Sequence, residues 1–411
     1  MFDSHLPRLP TREPLAALDL LKGVRVLDLT GSIAGPYAGQ LLGDLGATVL
    51  KIEKPGSGDD VRAWGPPFLD GEALWYQSVN RNKLSLALDF QQPAGYAVLR
   101  RLVEQCDVLV VNLVARVQAK LGVDQATLSR IRPGLIHASL TGFGLEGARA
   151  DMPCYDLIAE GYSGVMDLTG EPDSPPQKVG TPAADMLAGH DCAMAVLAAL
   201  VRRGRTGEGC AIDISMVESM TRFMAPRLMP YLGSGEVPRR SGGKDSVIAV
   251  YQTFDTADEP MTLGLGNDAI WKRFWTAIGD TAFGEYPEFS TNAKRREQRP
   301  RIVQRIAAVL AARPRAEWLA RLREARVPAG PISRVDQVTA DAELQRRGLF
   351  YAVERDGCLV PQVGLGIRFD GRTEACSRVP PRLGEDNTEV LGEWLQLTAQ
   401  DIDRLRADRV I

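Results

Sequence analysis

Short apolar runs alternate with amphipathic stretches along the first half of the chain. Val24–Thr30 (VRVLDLT) reads as a strand, ended by Gly31 and Gly35. Pro36 suits a first helical position, and Ala38, Leu41, Leu42 and Leu45 follow it along one helical face. Ala47–Ile52 (ATVLKI) returns as a strand, which completes a βαβ unit with parallel strands. Pro93–Gln105 predicts a helix, while Asp107–Asn112 (DVLVVN) and Leu135–Leu140 (LIHASL) predict strands. Their nearly continuous apolar character suits cover by helices on both faces. The pattern predicts a doubly wound, Rossmann-like α/β domain, with ligands beyond the carboxyl ends of its strands.

The pattern then changes. Ala184–Arg203 predicts a small-residue apolar helix stopping near Gly204, followed by a strand at Ala211–Ser215 and a helix at Val217–Met224. Pro226–Gly243 gathers prolines and glycines and predicts a linker or active-site loop. Strands at Val247–Phe254 and Pro260–Leu265, then amphipathic helices at Arg301–Ala312 and Arg315–Glu324, predict a smaller α+β domain. The tail reads as turns and a final helix near Ala399–Ala407.

Composition narrows the function classes. A chain of 411 residues has room for a large core and more than one domain. A net charge of −3 gives no support to binding nucleic acid or an anionic membrane through bulk charge. The six cysteines are scattered without a C-x-x-C pair, as expected of reduced thiols. The three histidines, His5, His137 and His190, lie far apart, so no metal site is expected. The amino terminus lacks the apolar segment of a signal peptide, and no uninterrupted apolar run reaches the ~20 residues of a bilayer span. A cytoplasmic enzyme is expected.

Several motifs in order carry a resemblance. They are Leu21–Arg62, WGPPF, Asn80–Phe90 (NRNKLSLALDF), Cys154–Gly170, Ala184–Leu200 (ADMLAGHDCAMAVLAAL), Arg205–Met220, Val327–Ile332 and PPRLGEDN at Pro380–Asn387. Together they resemble the class III CoA-transferases, the family of formyl-CoA transferase and carnitine CoA-transferase, over nearly the whole chain. The resemblance implies an open-ring protomer in an obligate, interlocked homodimer. Residues 1–216 and 366–411 would form the large CoA-binding domain and 247–335 the small one, joined by linkers at 217–246 and 336–365. It implies coenzyme A or acyl-CoA as substrate, with no tightly bound cofactor.

By the same resemblance Asp185 is the nucleophile. A carboxylate with an unperturbed pKa of ~3.9 needs no general base to attack a thioester. An arbitrary aspartate at a helix start is more often a partner of the helix dipole, and the surrounding motif is what reverses that preference. Asp156, Asp167 and Asp191 are nearby competitors that lie off the motif's nucleophile position. Coenzyme A contacts are implied for Ser32 and Ile33 in the loop after the first strand, for Lys54, Arg62 and Lys83, and for Asn112, Leu113 and Lys120. The sequence departs from formyl-CoA transferase at Ile33, often a glutamine there, and at Lys54 and Lys120, where that enzyme has arginine. Lysine keeps the charge and loses the bidentate fork. Gly242 and Gly243 are candidates for a mobile loop shielding the reaction from water, or for a plain turn.

The related alpha-methylacyl-CoA racemases are the main alternative. They pair the aspartate with a histidine in Gly-His-Asp, whereas Tyr155 stands at that position here. A phenol with a pKa of ~10 is a poor match for that role, which favours transfer. A nicotinamide dehydrogenase is disfavoured because the loop GSIAGPYAG lacks G-x-G-x-x-G. A catalytically silent CoA-binding protein is a third alternative, against which the motif around Asp185 argues. WGPPF, SVNRNK and AVYQTF look like relatives that use short dicarboxylates such as succinate. A second carboxylate would want a cation, for which Arg240 and Lys244 are candidates.

Overall fold

The computed structural model describes residues 9–14, 18–373 and 376–411; His5 and residues 1–8, read above for a targeting segment, lie outside them. The chain divides into two compact units. The first holds residues up to Val165, Val179–Met229 and Thr339–Ile411; the second holds Met166–Lys178 and Pro230–Val338.

A six-stranded parallel sheet organises the first unit. Its strands are β1 (Arg25–Leu29), β2 (Thr48–Glu53), β3 (Lys83–Ala87), β4 (Val108–Val111), β5 (Ile136–Thr141) and β6 (Cys210–Ser215). Their order is β3-β2-β1-β4-β5-β6, so direction of growth reverses between β1 and β4. A crevice forms at such a switch point. Every residue of β4 and β5 is buried, which is why β4 appears in the sequence as an unbroken apolar run and β5 as one interrupted only by His137, Ser139 and Thr141.

Helix α1 (Ala34–Asp44) connects β1 to β2, and α2 (Pro93–Glu104) begins at Pro93, whose missing N–H costs nothing at that position. Leu99, Leu102 and Val103 of α2 pack with Leu27, Leu50, Leu86 and Leu109 of the sheet. Val390, Leu391, Ile402 and Leu405 from the carboxyl-terminal segment complete this core. Leu109 is fully buried there, so Leu109→Ala is expected to destabilise the first unit by about 2–5 kcal/mol. A denaturant titration will show this as a lowered midpoint with an unchanged slope.

Helices α3 (Ala115–Leu121), α4 (Asp156–Ser163), α5 (Ala183–Thr206) and α6 (Met216–Phe223) follow. Among the described residues α5 is the one helix long and apolar enough to cross a membrane. Here it packs on α1, β5 and α6. At Gly189 a Cβ would lie 2.7 Å from the Ala34 carbonyl oxygen, so glycine sets how closely α5 approaches α1.

The stretch expected as a linker differs. Ala225–Ser234 is a helix, α7, despite Pro230 inside it, and none of its residues is buried. Residues 350–363, expected within a return linker, form an antiparallel hairpin of the first unit from Phe350–Arg355 and Cys358–Val363. In the second unit β7 (Tyr251–Phe254), β8 (Met261–Gly264) and β9 (Ala329–Pro331) form an antiparallel sheet. It is packed by α8 (Asp268–Ile278), α9 (Arg299–Leu310) and α10 (Arg315–Glu324) around Trp271, Phe274, Trp275, Phe289 and Trp318.

Candidate active site

Beyond the carboxyl ends of β1, β2 and β4 lies a hollow of about 320 Å³ lined by Thr30, Gly31, Ser32, Glu53, Lys54, Asp59, Asn112 and Leu113, among others. It sits at the switch point, where ligands of doubly wound sheets bind. Asn112 spends its amide on closing the crevice floor, accepting from Gly31 N–H at 3.1 Å and donating to Gly31 C=O at 2.8 Å. Ser32 has a left-handed φ of 64°, and its N–H donates to Asp59 at 3.0 Å. The next residue, Ile33, turns away into a separate hollow of about 280 Å³ with Tyr37, Trp75, Arg81, Thr181, Pro182 and Met186 in its walls. The loop after β1 therefore divides a polar hollow from a more apolar one. Lys54 is exposed at the first, and Lys120 is exposed in the last turn of α3.

Two cations do not serve as expected. Lys83 is fully buried, its ammonium bound to Asp28 and Asn80, both at 2.8 Å, and to the Pro36 carbonyl at 2.7 Å. All three ammonium protons are taken, so Lys83 is a structural cation and not a coenzyme A contact. Burial would raise the Asp28 carboxyl, but the Lys83 and Lys51 charges outweigh it and hold it at about 2. Arg62 is likewise committed. Its guanidinium pairs with Glu53 at 2.8 Å and Glu72 at 2.9 Å, and lies 3.7 Å from the Tyr76 ring centroid. Lys51 completes the network, bonding Asp59 at 2.8 Å and the Thr30 carbonyl at 2.7 Å. These buried ions hold the crevice loops, and of the cations expected to contact coenzyme A, Lys54 and Lys120 are left to the solvent.

Asp185 is the third residue of α5. Pro182, which precedes the helix, has no side-chain oxygen to cap it. The cap comes from Asp156, the first residue of α4, whose Oδ1 accepts from Ala184 N–H at 2.8 Å and Asp185 N–H at 3.3 Å. Among the described residues no group donates to the Asp185 carboxylate. Burial first, and the Asp156 charge second, raise its pKa to about 7. The expectation of a carboxylate fully ionised at neutral pH is corrected accordingly. Pro182 and Met186, on either side of Asp185 in the chain, line the apolar hollow, whose lining does not include Asp185 itself. Asp156 is more than a competitor of Asp185. A proline where a cap belongs was the signal that another segment must supply one.

The remaining candidates are placed as follows. Tyr155 precedes α4 and is 63% exposed. Asp191 pairs with Arg222 on α6. In the second unit Arg240 bonds Asp167, to its carbonyl at 2.9 Å and its carboxylate at 3.2 Å. Gly242 has φ +61° and donates to Gly170 C=O at 3.0 Å, while Gly243 C=O accepts from Thr253 N–H at 3.2 Å. A Cβ on Gly242 would lie 2.3 Å from the Glu171 carboxylate, the movable end of an exposed side chain, so it is the left-handed conformation that favours glycine there. Lys244 forms a bridge to Gln252.

Comparison with known proteins bears on this site. The sequence profile of CoA-transferase family III matches residues 21–387. The chain is 38% identical to the succinate–glutarate CoA-transferase of Agrobacterium fabrum, over 94% of this chain and 97% of that protein. It is 33% identical to the succinyl-CoA:glutarate CoA-transferase of Mus musculus, over 95% and 90%. Among solved structures, a CAIB/BAIF family protein from Brucella suis superposes with a TM-score of 0.80 at 37% identity, covering 91% of this chain and 99% of that one.

Proposed function

Because the chain belongs to CoA-transferase family III, we propose that Asp185 is the nucleophile with which it moves coenzyme A from a short dicarboxylyl-CoA to a second carboxylic acid. The enzyme is an acyl-CoA:carboxylate CoA-transferase. The observation that carries the assignment is the Asp185 carboxylate in the first turn of α5, which accepts no hydrogen bond among the described residues and whose chain neighbours Pro182 and Met186 line an apolar hollow.

The chemistry balances without a net proton. Asp185 attacks the thioester carbonyl, the C–S bond breaks, and a mixed anhydride and coenzyme A thiolate result. The thiolate then attacks the Asp185 carbonyl, expelling the donor acid as a carboxylate and leaving an Asp185–CoA thioester. The acceptor carboxylate attacks that thioester and releases the thiolate again. Thiolate attack on the acceptor carbonyl forms the new acyl-CoA and returns Asp185. The apolar hollow suits this sequence because water would hydrolyse either anhydride.

Succinate- or glutarate-like donors are favoured by the names of the relatives and by Arg81 in the wall of the hollow. The Arg81 guanidinium spends N–H groups on Asp44, at 2.8 and 2.5 Å, and on the Val363 carbonyl at 2.6 Å. Three of its five N–H donors are thereby taken and the residue is 3% exposed, so it supplies the wall with a buried positive charge, a role the sequence suggested for Arg240 or Lys244. A panel of acyl-CoA donors read by mass spectrometry is expected to prefer succinyl-CoA over butyryl-CoA by at least about 10-fold. Equal use of both would remove the dicarboxylate assignment.

The pH dependence follows from Asp185. With its carboxyl raised to about 7, the nucleophile is lost to protonation as pH falls. The kcat/KM for the donor is expected to be level above about pH 8 and to fall tenfold per pH unit below about 6. A profile level down to pH 5 would show a carboxylate with an ordinary pKa.

An interlocked homodimer is part of the same reading. Supporting it are the exposed apolar residues Leu157, Ile158 and Tyr162 on α4, Met194 and Val201 on α5, and Met229 and Leu232 on α7. The six free cysteines fit a reducing compartment such as the cytoplasm.

A further inference from the structure

The cap on α5 is chemically more than a cap needs to be. A neutral oxygen from serine, threonine or asparagine satisfies helix N–H groups as well as a carboxylate does. Asp156 adds a negative charge beside Asp185, a carboxylate that receives no hydrogen bond among the described residues. Like charges held this close in a half-buried setting oppose each other, so the arrangement works against simple stability.

Other groups do not explain this. The elements packed on α5 carry Tyr37 and Asp44 on α1, Asp156, Glu160 and Tyr162 on α4, with Cys154 just ahead of it, His137 on β5, Cys210 and Asp213 on β6, and Glu218 and Arg222 on α6. Arg222 is paired with Asp191, and Tyr37 is stacked on His190. His137 is bound to the Val123 carbonyl, and Asp213 accepts from Leu145 N–H. Asp156 is the charge that acts on Asp185.

We propose that Asp156 is a positioning residue that fixes the first turn of α5 through its two backbone hydrogen bonds and, as a second negative charge beside Asp185, loads coenzyme A onto the enzyme as a thioester. The proposal rests on Asp185 being the nucleophile. Its logic is an exchange equilibrium. Acyl-CoA and the Asp185 carboxylate convert to the Asp185–CoA thioester and a free acid anion; one C–S bond is lost and one formed, and no proton is consumed. On the left the negative charge sits beside Asp156, and on the right it has left for solvent. The nearby charge therefore pushes the exchange to the right. In the anhydride it acts in the same direction, because the less basic carboxylate is the better leaving group and a dicarboxylic donor has ordinary acidity. Asp185 is raised to about 7, against ~4.3 for an unperturbed glutamate-like carboxyl.

The test uses the full-length protein mixed with succinyl-CoA and succinate at a fixed ratio, with the thioester-bearing fraction read by intact-protein mass spectrometry from pH 5 to 9. Asp156→Asn keeps the acceptor oxygen and removes the charge. It is expected to lower the ratio of loaded to free enzyme at pH 8 by about tenfold and to move the titration midpoint about one pH unit lower. Asp156→Glu keeps the charge and is expected to stay near the parent in both respects. Asp156→Asn with parent-like loading and midpoint overturns the proposal, as does Asp156→Glu behaving like Asp156→Asn. Absence of any thioester on the parent protein would instead reject Asp185 as nucleophile.

Discussion

Asp185→Ala is expected to lower CoA transfer by at least about 10⁴-fold while coenzyme A still binds. The four steps all pass through this carboxylate, and no described neighbour offers a substitute, since Asp156 is spent on the backbone of α5. Binding survives because the switch-point crevice is built from β1, β2 and β4, not from α5. The same residue carries a stability signature. A carboxyl that holds its proton to about 7 when folded, but releases it near 3.8 when unfolded, favours folding less as pH rises between those values. Its ionised form therefore costs about 4 kcal/mol above pH 7 and nothing below pH 3.8. Asp185→Asn removes that cost. It is expected to be more stable than the parent at pH 8 and equal to it near pH 4, measured by denaturant titration at each pH. A gain of the same size at every pH would contradict the account of burial and like charge.

Lys83→Met is expected to destabilise the first unit by about 3–5 kcal/mol, because it leaves Asp28 fully buried with one of its two cations gone. The sign is fixed by Asp28. Its carboxyl is held at about 2, below the 3.8 of the unfolded chain, so its contribution is present above pH 3.8 and lost as pH falls through 2. The deficit of Lys83→Met is accordingly full at neutral pH and narrows in acid. Coenzyme A affinity of the folded variant is expected to match the parent. Intact stability with weakened coenzyme A binding would make Lys83 a phosphate ligand after all.

Particular residues show what was legible. β1 and β4 could be read because their buried faces leave short apolar runs, and α2 because Pro93 marks its start. β3 could not. Lys83 and Ser85 point into the interior, where Asp28 and Glu53 satisfy them, so KLSLA carries surface-like polarity in a buried strand. α7 was hidden by Pro226, Pro230 and Gly233, residues that weigh against a helix but did not prevent this exposed one. Asp185 was visible through its motif, and Ser32, Lys54, Asn112 and Leu113 do line one crevice. Arg62 and Lys83 read in the sequence as cations open to a ligand because a positive charge there says nothing of the carboxylates that fold against it. Asp156 reaches α5 across 28 residues, a contact that no local pattern encodes.

The most direct measurement is covalent. The protein is incubated with succinyl-CoA, quenched with hydroxylamine and digested, and its peptides are analysed by mass spectrometry. Conversion of Asp185 to the hydroxamate, dependent on succinyl-CoA and absent in Asp185→Ala, is the predicted result. An unmodified Asp185 in a protein that transfers coenzyme A, or a hydroxamate on another carboxylate, would contradict it.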